Sequence, residues 1–305
     1  MKRAVALVLT ILAILVLLGC SNGRDERYLI GVLQPSLMGL EHVEMKKEIS
    51  ETISEYANYK CLFADAGNSV EKQITDIDKM INWGVDAIIV VPCDEQRISD
   101  KLKEAVRAGI YIILIGYAPY DVTAFSIQLF VNNYKIGFKA GEYACQALGG
   151  EGVVLELQDN PQLRTTQERK NGFRAAISKC PGIVKEYVVV GYGLADTAVS
   201  ALLTSEILEN NPRIDLVYSH NGEMSKGAAP LFRNLGYKIK IVEANSVNLS
   251  DERASSSKHK PNAMIVYPTL GVEAVTYAMK LIAGETFDKC IEFEPRLITE
   301  FGDEE

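Results

Sequence analysis

Little in this sequence is suited to holding a metal ion or a nucleic acid. It contains 3 histidines and no CxxC pair, and 40 acidic residues against 32 basic ones give a formal net charge of -8 at pH 7. Zinc sites need clustered cysteine and histidine, and nonspecific nucleic-acid affinity comes mainly from clustered lysine and arginine. A serine nucleophile in a GxSxG turn is also missing. We therefore expect no metal, no cofactor, no nucleic-acid partner and no enzymatic activity.

Long hydrophobic runs are also scarce, and the one that stands out is at the N-terminus. Residues 4–18 are apolar and uncharged and follow Lys2 and Arg3, which is the layout of a signal peptide. At about 1.5 Å per residue, this run is too short to cross a hydrocarbon core of about 30 Å comfortably. The sequence Leu17-Leu18-Gly19-Cys20 resembles the lipobox of bacterial lipoproteins. The resemblance implies a signal peptide over residues 1–19, lipidation of Cys20 and a polar tether over residues 20–27; the alternative is an uncleaved N-terminal anchor.

Cysteines are too few and too scattered for a dense disulfide framework. Five follow Cys20, at positions 61, 93, 145, 180 and 290. Because their number is odd, at least one is unpaired unless it bonds another chain. We expect most of them to be small buried hydrophobic residues, and the sequence leaves open whether any of them pair.

Short apolar runs alternate with amphipathic segments along the rest of the chain. Apolar runs begin near residues 28, 59, 86 and 110, and these intervals of roughly thirty residues are typical of βαβ units. Residues 87–91 are apolar throughout, as expected for a parallel strand covered on both faces. The same rhythm restarts after the glycine-rich residues 147–152, which predicts a second α/β lobe. Asn132 and Asn133 are predicted to cap a helix over residues 134–148 between the two lobes.

Polar residues are concentrated where the predicted strands end. The stretch IDLVYSHNGEMSKGA, residues 214–228, passes from an apolar strand through Ser219, His220, Asn221 and Glu223 into a predicted helix. A structural helix cap needs only one such residue. Ligands of open α/β sheets, however, bind beyond the carboxyl ends of the strands. Capping and ligand binding therefore both stay open for this stretch.

Three segments, DAIIVVPCD, ELQDNPQLRTTQERKNGFRAAI and YSHNGEMSKGA, occur in that order along the chain. They resemble segments of the periplasmic sugar-binding proteins of the ribose and galactose type, the type I solute-binding proteins of ABC importers. The resemblance covers residues 28–302. It implies an α/β fold with two Rossmann-like parallel-sheet lobes joined by three crossover segments, closing about a hinge on a ligand. It further implies an N-terminal lobe of residues 28–132 and 267–290 and a C-terminal lobe of residues 133–266 and 291–305.

Several ligand positions of that family are occupied by different residues here. Gly116–Tyr117 stands where an Asp-Arg pair is usual, and Glu41 and His42 replace an aromatic pair. Gln167 takes the place of a sugar-clamping arginine, for which Arg164 is a candidate substitute because its guanidinium can form paired hydrogen bonds. Two of these residues also have a purely structural interpretation. Glu41 is then an acid that the helix dipole favours at a helix start, and Arg164 is a solvated surface charge.

In the second lobe, Asn221 matches a ligand-binding asparagine of the family, whereas Gly222 and Asn245 each stand where an aspartate is usual. Tyr117 and Tyr267 are expected at strand ends, where each either stacks on a sugar ring or covers the rim of the cleft. The particular solute is therefore left undetermined. The predicted ligand-binding residues are Glu41, His42, Tyr117, Arg164, Gln167, Asn221, Asn245 and Tyr267.

We predict a monomeric, lipid-anchored binding protein outside the cytoplasm, in the periplasm or on the outer face of the cell membrane. It captures a small polar solute, a monosaccharide or a relative of one, and presents it to an ABC permease in the membrane. A receptor of the same fold that reports ligand to a membrane sensor kinase is the alternative. A transcriptional repressor core would need a helix-turn-helix where this chain has an export signal.

Overall fold

The computed structural model describes residues 27–37, 40–210, 213–246, 261–299 and 302–303. The predicted signal peptide, Cys20 and the tether before Arg27 lie outside these ranges. No helix within them combines the length and the apolar character that crossing a membrane requires.

The strands are β1 (Tyr28–Gln34), β2 (Tyr59–Asp65), β3 (Ala87–Val90), β4 (Tyr111–Ile115), β5 (Ile127–Val131), β6 (Glu151–Gln158), β7 (Gly182–Val190), β8 (Leu216–Ser219), β9 (Lys240–Ser246), β10 (Ala263–Tyr267), β11 (Cys290–Phe293), β12 (Arg296–Thr299) and β13 (Gly302–Asp303). The helices are α1 (Leu40–Ser54), α2 (Val70–Trp83), α3 (Ser99–Arg107), α4 (Asn133–Ala147), α5 (Arg164–Ile177), α6 (Ala195–Leu203), α7 (Glu206–Glu209), α8 (Gly222–Asn234) and α9 (Gly271–Ile282).

The first sheet consists of parallel strands in the order β11-β5-β4-β3-β1-β2. Successive side chains of a strand point to opposite faces. In β3, Ile89 accordingly joins the hydrophobic cluster beneath α1 and α9, while Ile88 and Val90 join the cluster beneath α2 and α3. Because helices cover both faces, an apolar residue is favoured at every position of this strand. The predicted parallel arrangement is confirmed.

The second sheet has the order β13-β12-β10-β9-β8-β6-β7; β6 to β10 are parallel, and β12 and β13 are added antiparallel at one edge. Helices α4 and α5 cover one face, and α6 and α8 cover the other.

Helices α4 and α5 pack with their backbones in contact. A Cβ atom on Gly137 would lie 1.8 Å from the carbonyl oxygen of Arg169, and one on Gly172 would lie 2.0 Å from that of Tyr134. Only glycine fits at these two positions, and the close approach brings Arg169 next to the start of α4.

Three connections join the two sheets. The chain passes from β5 to α4 at Asn132, from β10 to α9 through residues 268–270, and from β11 to β12 at residues 294–295. The predicted boundary between residues 290 and 291 would divide β11, which pairs with β5 from Cys290 to Phe293. We therefore propose a first lobe of residues 28–131 and 268–293 and a second lobe of residues 132–267 and 294–303.

A disulfide links the two helices that cover one face of the second sheet. Cys145 in the last turn of α4 bonds Cys180, which follows α5, with Cα atoms 6.1 Å apart. Of the unpaired cysteines in the described ranges, Cys61 and Cys93 are half-buried and Cys290 is exposed. The expectation that most cysteines are buried hydrophobic residues is wrong, since none of the five is fully buried. Local sequence patterns could not reveal this pair because the helix packing brings the two residues together.

Removing this disulfide should lower the free energy of unfolding. The bond spans a sequence separation of 35 residues, and the entropy that a loop of this length removes from the unfolded chain is worth about 3 to 4 kcal/mol. Urea denaturation of Cys145→Ser/Cys180→Ser should show a loss of this size. The variant Cys93→Ser, which removes a half-buried unpaired thiol, serves as the control. A parent protein whose midpoint is unchanged by dithiothreitol would contradict the expectation.

Candidate ligand-binding cleft

The carboxyl edges of the two sheets face each other, and one tyrosine connects them. Tyr117 follows β4 of the first sheet, and its hydroxyl donates to Glu168 Oε2 on α5 of the second lobe at 2.9 Å. The guanidinium carbon of Arg164, one turn earlier on α5, lies 4.2 Å from the centre of the Tyr117 ring. Burial and the Glu168 carboxylate raise the pKa of Tyr117 above its ordinary range, so its hydroxyl stays protonated and keeps donating. The loops beyond both sets of strand ends therefore bound one cleft.

Arg169 is a central residue of this region that the sequence analysis did not single out. Its Nε donates to Asn133 Oδ1 at 2.9 Å, its Nη2 donates to the Tyr267 hydroxyl at 2.8 Å, and its Nη1 donates to the His220 carbonyl. These acceptors belong to α4, to the end of β10 and to the segment after β8. Burial works against the charge of Arg169, but Tyr267 and Tyr218, with Glu41, outweigh it and raise its pKa. One guanidinium thus fixes three segments at the carboxyl edge of the second sheet.

A signal for Arg169 was present in the sequence. It lies four residues before Phe173, which is fully buried in the core beneath α5. Positions i and i+4 of a helix share one face, so Arg169 had to point toward the interior. A buried guanidinium needs acceptors for its donors, and Asn133 supplies one of them.

Asn133 has a different role from the predicted one. The helix begins at Asn133, one residue earlier than predicted, and its cap is Asn132, whose side chain accepts from the Lys135 backbone. The side chain of Asn133 is instead turned to Arg169, and its Nδ2 donates to the Tyr117 hydroxyl at 3.4 Å. Asn133 therefore joins the contact between the lobes to the buried arginine.

The side chain of Asn221 caps helix α8. Its Oδ1 accepts from the Met224 backbone at 2.9 Å as the cap of α8, and its Nδ2 donates to the Gly193 carbonyl at 3.3 Å. The second contact is long for an N–H···O hydrogen bond. The amide nitrogen of Asn221 is therefore weakly held and is the group of this residue best able to change partner.

Two residues that differ from the family pattern, Gly222 and Asn245, are packed against each other. A Cβ atom on Gly222 would lie 2.7 Å from Asn245 Nδ2, closer than nonbonded atoms come. The Asn245 amide also donates to Glu243 Oε1 at 3.3 Å. The glycine makes room for the asparagine, so the two differences from the family act together and place Asn245 beside Asn221.

The first lobe contributes Glu41 and His42 from the first turn of α1. Glu41 is exposed and His42 is half-buried, and the buried side chain of Gln34 donates to the His42 carbonyl at 2.9 Å. Burial is the main cause that raises the pKa of Tyr267, and the charge of Glu41 adds to it. Glu41 therefore acts electrostatically on Tyr267, in the other lobe.

The remaining predicted residues are less open to a ligand. The exposed Gln167 of α5 donates from Nε2 to the carbonyl of Pro161, in the loop before that helix, at 3.2 Å. The exposed Arg164 pairs with Glu168 at 2.9 Å. Tyr267 is only 6% exposed and packs in the core of the second lobe, so its ring offers no open stacking surface here. The structure thus brings together Tyr117 with Arg164, and Asn245 with Gly222, the residue after Asn221.

His220 is a packing residue of the second lobe. It is 1% exposed, and its Nε2 lies 2.7 Å from Glu156 Oε1. Burial, together with the charge of Arg169, lowers the pKa of His220 to about 3, so that the ring is neutral at pH 7. Across the described ranges, no group of three or more histidine, cysteine, aspartate or glutamate residues is arranged to hold a metal ion.

Exposed apolar side chains at the rim were not anticipated. Tyr120 follows β4, Leu163 follows β6, and Tyr192 and Leu194 follow β7, and all four are exposed. Gly193, between the last two, approaches Asp159 and receives the hydrogen bond of Asn221. The sequence analysis assigned these residues only to loops and helix starts, because an isolated apolar residue in a loop carries no periodic signal. The cleft thus combines polar groups with apolar surfaces at its edge.

The comparison with known proteins agrees with this geometry. A family model described as a periplasmic binding protein domain matches residues 34–286. The ribose import binding protein of Bacillus subtilis (strain 168) is 26% identical over 314 residues, covering 98% of this chain and 100% of that protein.

Solved structures share the fold at lower sequence identity. An ABC transporter periplasmic solute-binding protein from Actinobacillus succinogenes 130z, with bound D-allose, has a TM-score of 0.76 at 22% identity, covering 90% of this chain and 98% of that one. The fructose-binding periplasmic domain of a hybrid two-component system has a TM-score of 0.75 at 24% identity, covering 90% and 91%. The resemblance inferred from the motifs is confirmed: this chain belongs to the periplasmic binding protein family, whose members are extracytoplasmic solute-binding proteins and not enzymes.

Proposed function

We propose that this chain is the substrate-binding lipoprotein of an ABC importer, anchored through Cys20, and that its cleft closes on a monosaccharide or a related polyol. The observation that carries the proposal is the apposition of the two carboxyl edges across the hydrogen bond from Tyr117 to Glu168. Ribose import by a relative that matches the whole chain supports a sugar. The disulfide supports an oxidising compartment outside the cytoplasm.

Binding would replace the water around the solute with polar groups from both lobes. Glu41 and His42 of the first lobe and Asn221 and Asn245 of the second offer acceptors and donors for hydroxyl groups. Closure about the three connections would then bring the two sets onto one solute and exclude solvent.

The other cleft residues have different proposed roles. Arg164 and Gln167 would contact the solute from α5, and the Tyr117 ring, with the exposed rim residues, would cover its apolar faces. Tyr267, whose ring is covered, is proposed to act through its hydrogen bond to Arg169 instead of by stacking.

A receptor that reports ligand to a sensor kinase remains the second candidate. The observation that favours it is the same fold in the periplasmic domain of a two-component system. Uptake of the labelled solute distinguishes the two, since deletion of an importer component abolishes uptake and deletion of a receptor alters only the transcriptional response.

A thermal-shift screen of monosaccharides and polyols tests the binding function. A ligand that binds only the folded protein at about 100 times its Kd stabilises it by about 2.7 kcal/mol, which corresponds to several degrees in Tm. We expect at least one pentose, hexose or polyol to produce such a shift and to reduce the radius of gyration in small-angle scattering. A complete panel without any shift would contradict the proposal.

The variant Asn221→Ser separates ligand binding from helix capping. Serine keeps the cap of α8, so the free energy of unfolding without ligand should change by less than about 1 kcal/mol, while loss of the amide donor should weaken solute binding about tenfold or more. The matched control is Asn262→Ser, because Asn262 Oδ1 accepts from the Ile241 backbone at 2.8 Å, at the other end of the same sheet. Equal affinities for the identified solute in Asn221→Ser and the parent would remove Asn221 from the site.

The packing of Gly222 against Asn245 predicts an energetic coupling. Gly222→Ala should cost about 1 to 3 kcal/mol, because the new Cβ overlaps the Asn245 amide. In Gly222→Ala/Asn245→Ala the overlap is relieved, so we expect a coupling energy of about 1 kcal/mol or more in a double-mutant cycle of urea denaturation. Additive effects would show that the two residues do not constrain each other.

A further inference from the structure

The edge of the first sheet opposite the cleft carries a group of aromatic side chains. Trp83 is 57% exposed, Tyr56 is 46% exposed and Tyr111 is 36% exposed. Tyr56 lies between α1 and β2, Trp83 ends α2, and Tyr111 begins β4. We call the surface formed by Tyr28, Tyr56, Trp83 and Tyr111 the amino-edge face, because each residue lies near the amino end of a strand.

The strand register places these residues at one edge. Tyr28 at the start of β1 is paired with Tyr59 at the start of β2, and their ring centres are 5.0 Å apart. Tyr56 packs against the edge of the same Tyr59 ring, with centres 6.2 Å apart. The Tyr111 backbone donates to the Asp86 carbonyl at 3.1 Å, three residues beyond Trp83. The aromatic residues therefore border one surface and are not scattered over the lobe.

A cavity of about 330 Å³ lies within this surface. Tyr28 and Tyr111 contribute to its wall, and most of the other lining residues are aliphatic or glycine. The lining is completed by Ile81, Gly84, Val85, Asp86, Ala108, Gly109, Ile110 and Ile282. The amino-edge face therefore combines a recess of mixed polar and apolar lining with amphipathic rings around it.

The chain itself limits how far this face can be from a membrane. Cys20, the predicted site of lipidation, precedes Tyr28 by eight residues. A fully extended chain spans at most about 3.3 to 3.6 Å per residue, so eight residues reach no further than about 28 Å. The described chain enters the fold at Tyr28, within the amino-edge face itself. If Cys20 carries acyl chains, the bilayer lies within reach of this face.

The chemistry of the face suits the boundary between lipid and water. Tryptophan and tyrosine are favoured there because they join an apolar ring to a polar group. The charged residues at its border are mixed in sign: Arg27, Lys60, Arg107, Glu55 and Asp86. Electrostatic binding to anionic lipid needs a cluster of basic residues, so the contact would depend on apolar surface.

We propose that the amino-edge face rests on the bilayer, with Trp83, Tyr56 and Tyr111 at the depth of the lipid headgroups. The inference rests on the proposed lipidation of Cys20. The anchored protein would then hold its cleft on the side of the first lobe that faces away from the lipid.

Trp83 provides the test, because it is the only tryptophan in the chain. The lipidated full-length protein is incorporated into phosphatidylcholine vesicles, with and without brominated acyl chains, and its Trp83 emission is recorded. We expect a blue shift relative to the protein produced without residues 1–20, in solution, and a loss of intensity with brominated lipid. Both effects should persist at high salt, and release by salt would overturn an apolar contact.

The possible outcomes distinguish the proposed lipid anchor at Cys20 from the proposed contact of the amino-edge face with the bilayer. If the parent protein floats with vesicles and Trp83 is neither shifted nor quenched, the anchor stands and the face proposal is overturned. If the parent does not float, the proposed anchor fails, and the inference fails with it. If Trp83 becomes protected only when a permease is present, the face contacts protein and the proposal is also overturned.

A variant pair tests the neighbouring rings with Trp83 as the reporter. Tyr56→Ser/Tyr111→Ser should reduce the quenching by brominated lipid, whereas Tyr134→Ser, which removes an exposed tyrosine of α4, should leave it unchanged. Equal quenching in all three proteins would overturn the proposed contact. If the double variant fails to fold in a thermal melt, the quenching of the parent protein alone decides.

Discussion

The half-buried guanidinium of Arg169 is the constraint on which the geometry of the cleft depends. Its donors are satisfied by Asn133, Tyr267 and the His220 carbonyl, which all accept from it. Those acceptors come from the first connection and from two strand ends, so satisfying one side chain fixes their relative positions. This arrangement of Arg169 goes with two other features. Helices α4 and α5 approach so closely that no Cβ fits at positions 137 and 172. Glu168, the residue before Arg169, faces Tyr117.

Much of the fold could be predicted from the sequence because its determinants are local. Residues 87–91 indicated a strand covered on both sides, and the pattern that restarts after residues 147–152, together with three family motifs, indicated two lobes. The features that the sequence left unpredicted are contacts between distant segments. Neither the pairing of β11 with β5 nor the disulfide of Cys145 with Cys180 can be deduced from periodicity, since tertiary packing determines which segments meet.

The site was less predictable than the fold, because one polar side chain can form hydrogen bonds with the backbone, with other buried side chains or with a ligand. Asn221 follows a strand end as expected, and both ends of its amide are engaged within the protein. The role of a residue also depends on what packs against it, as the close approach of Gly222 and Asn245 shows. Arg169 lies in the same helix as Arg164, but its hydrogen bonds go to other protein groups and organise the residues around them.

The position of the single disulfide has a consequence for how redox conditions act on the molecule. Both of its cysteines flank helices on one side of the second sheet, and none of the three linkers passes through the loop that the bond closes. Forming the disulfide therefore constrains the second lobe alone and does not restrict the movement of that lobe relative to the first. A reducing environment would make the second lobe unfold faster. It would not change how far the two lobes open and close.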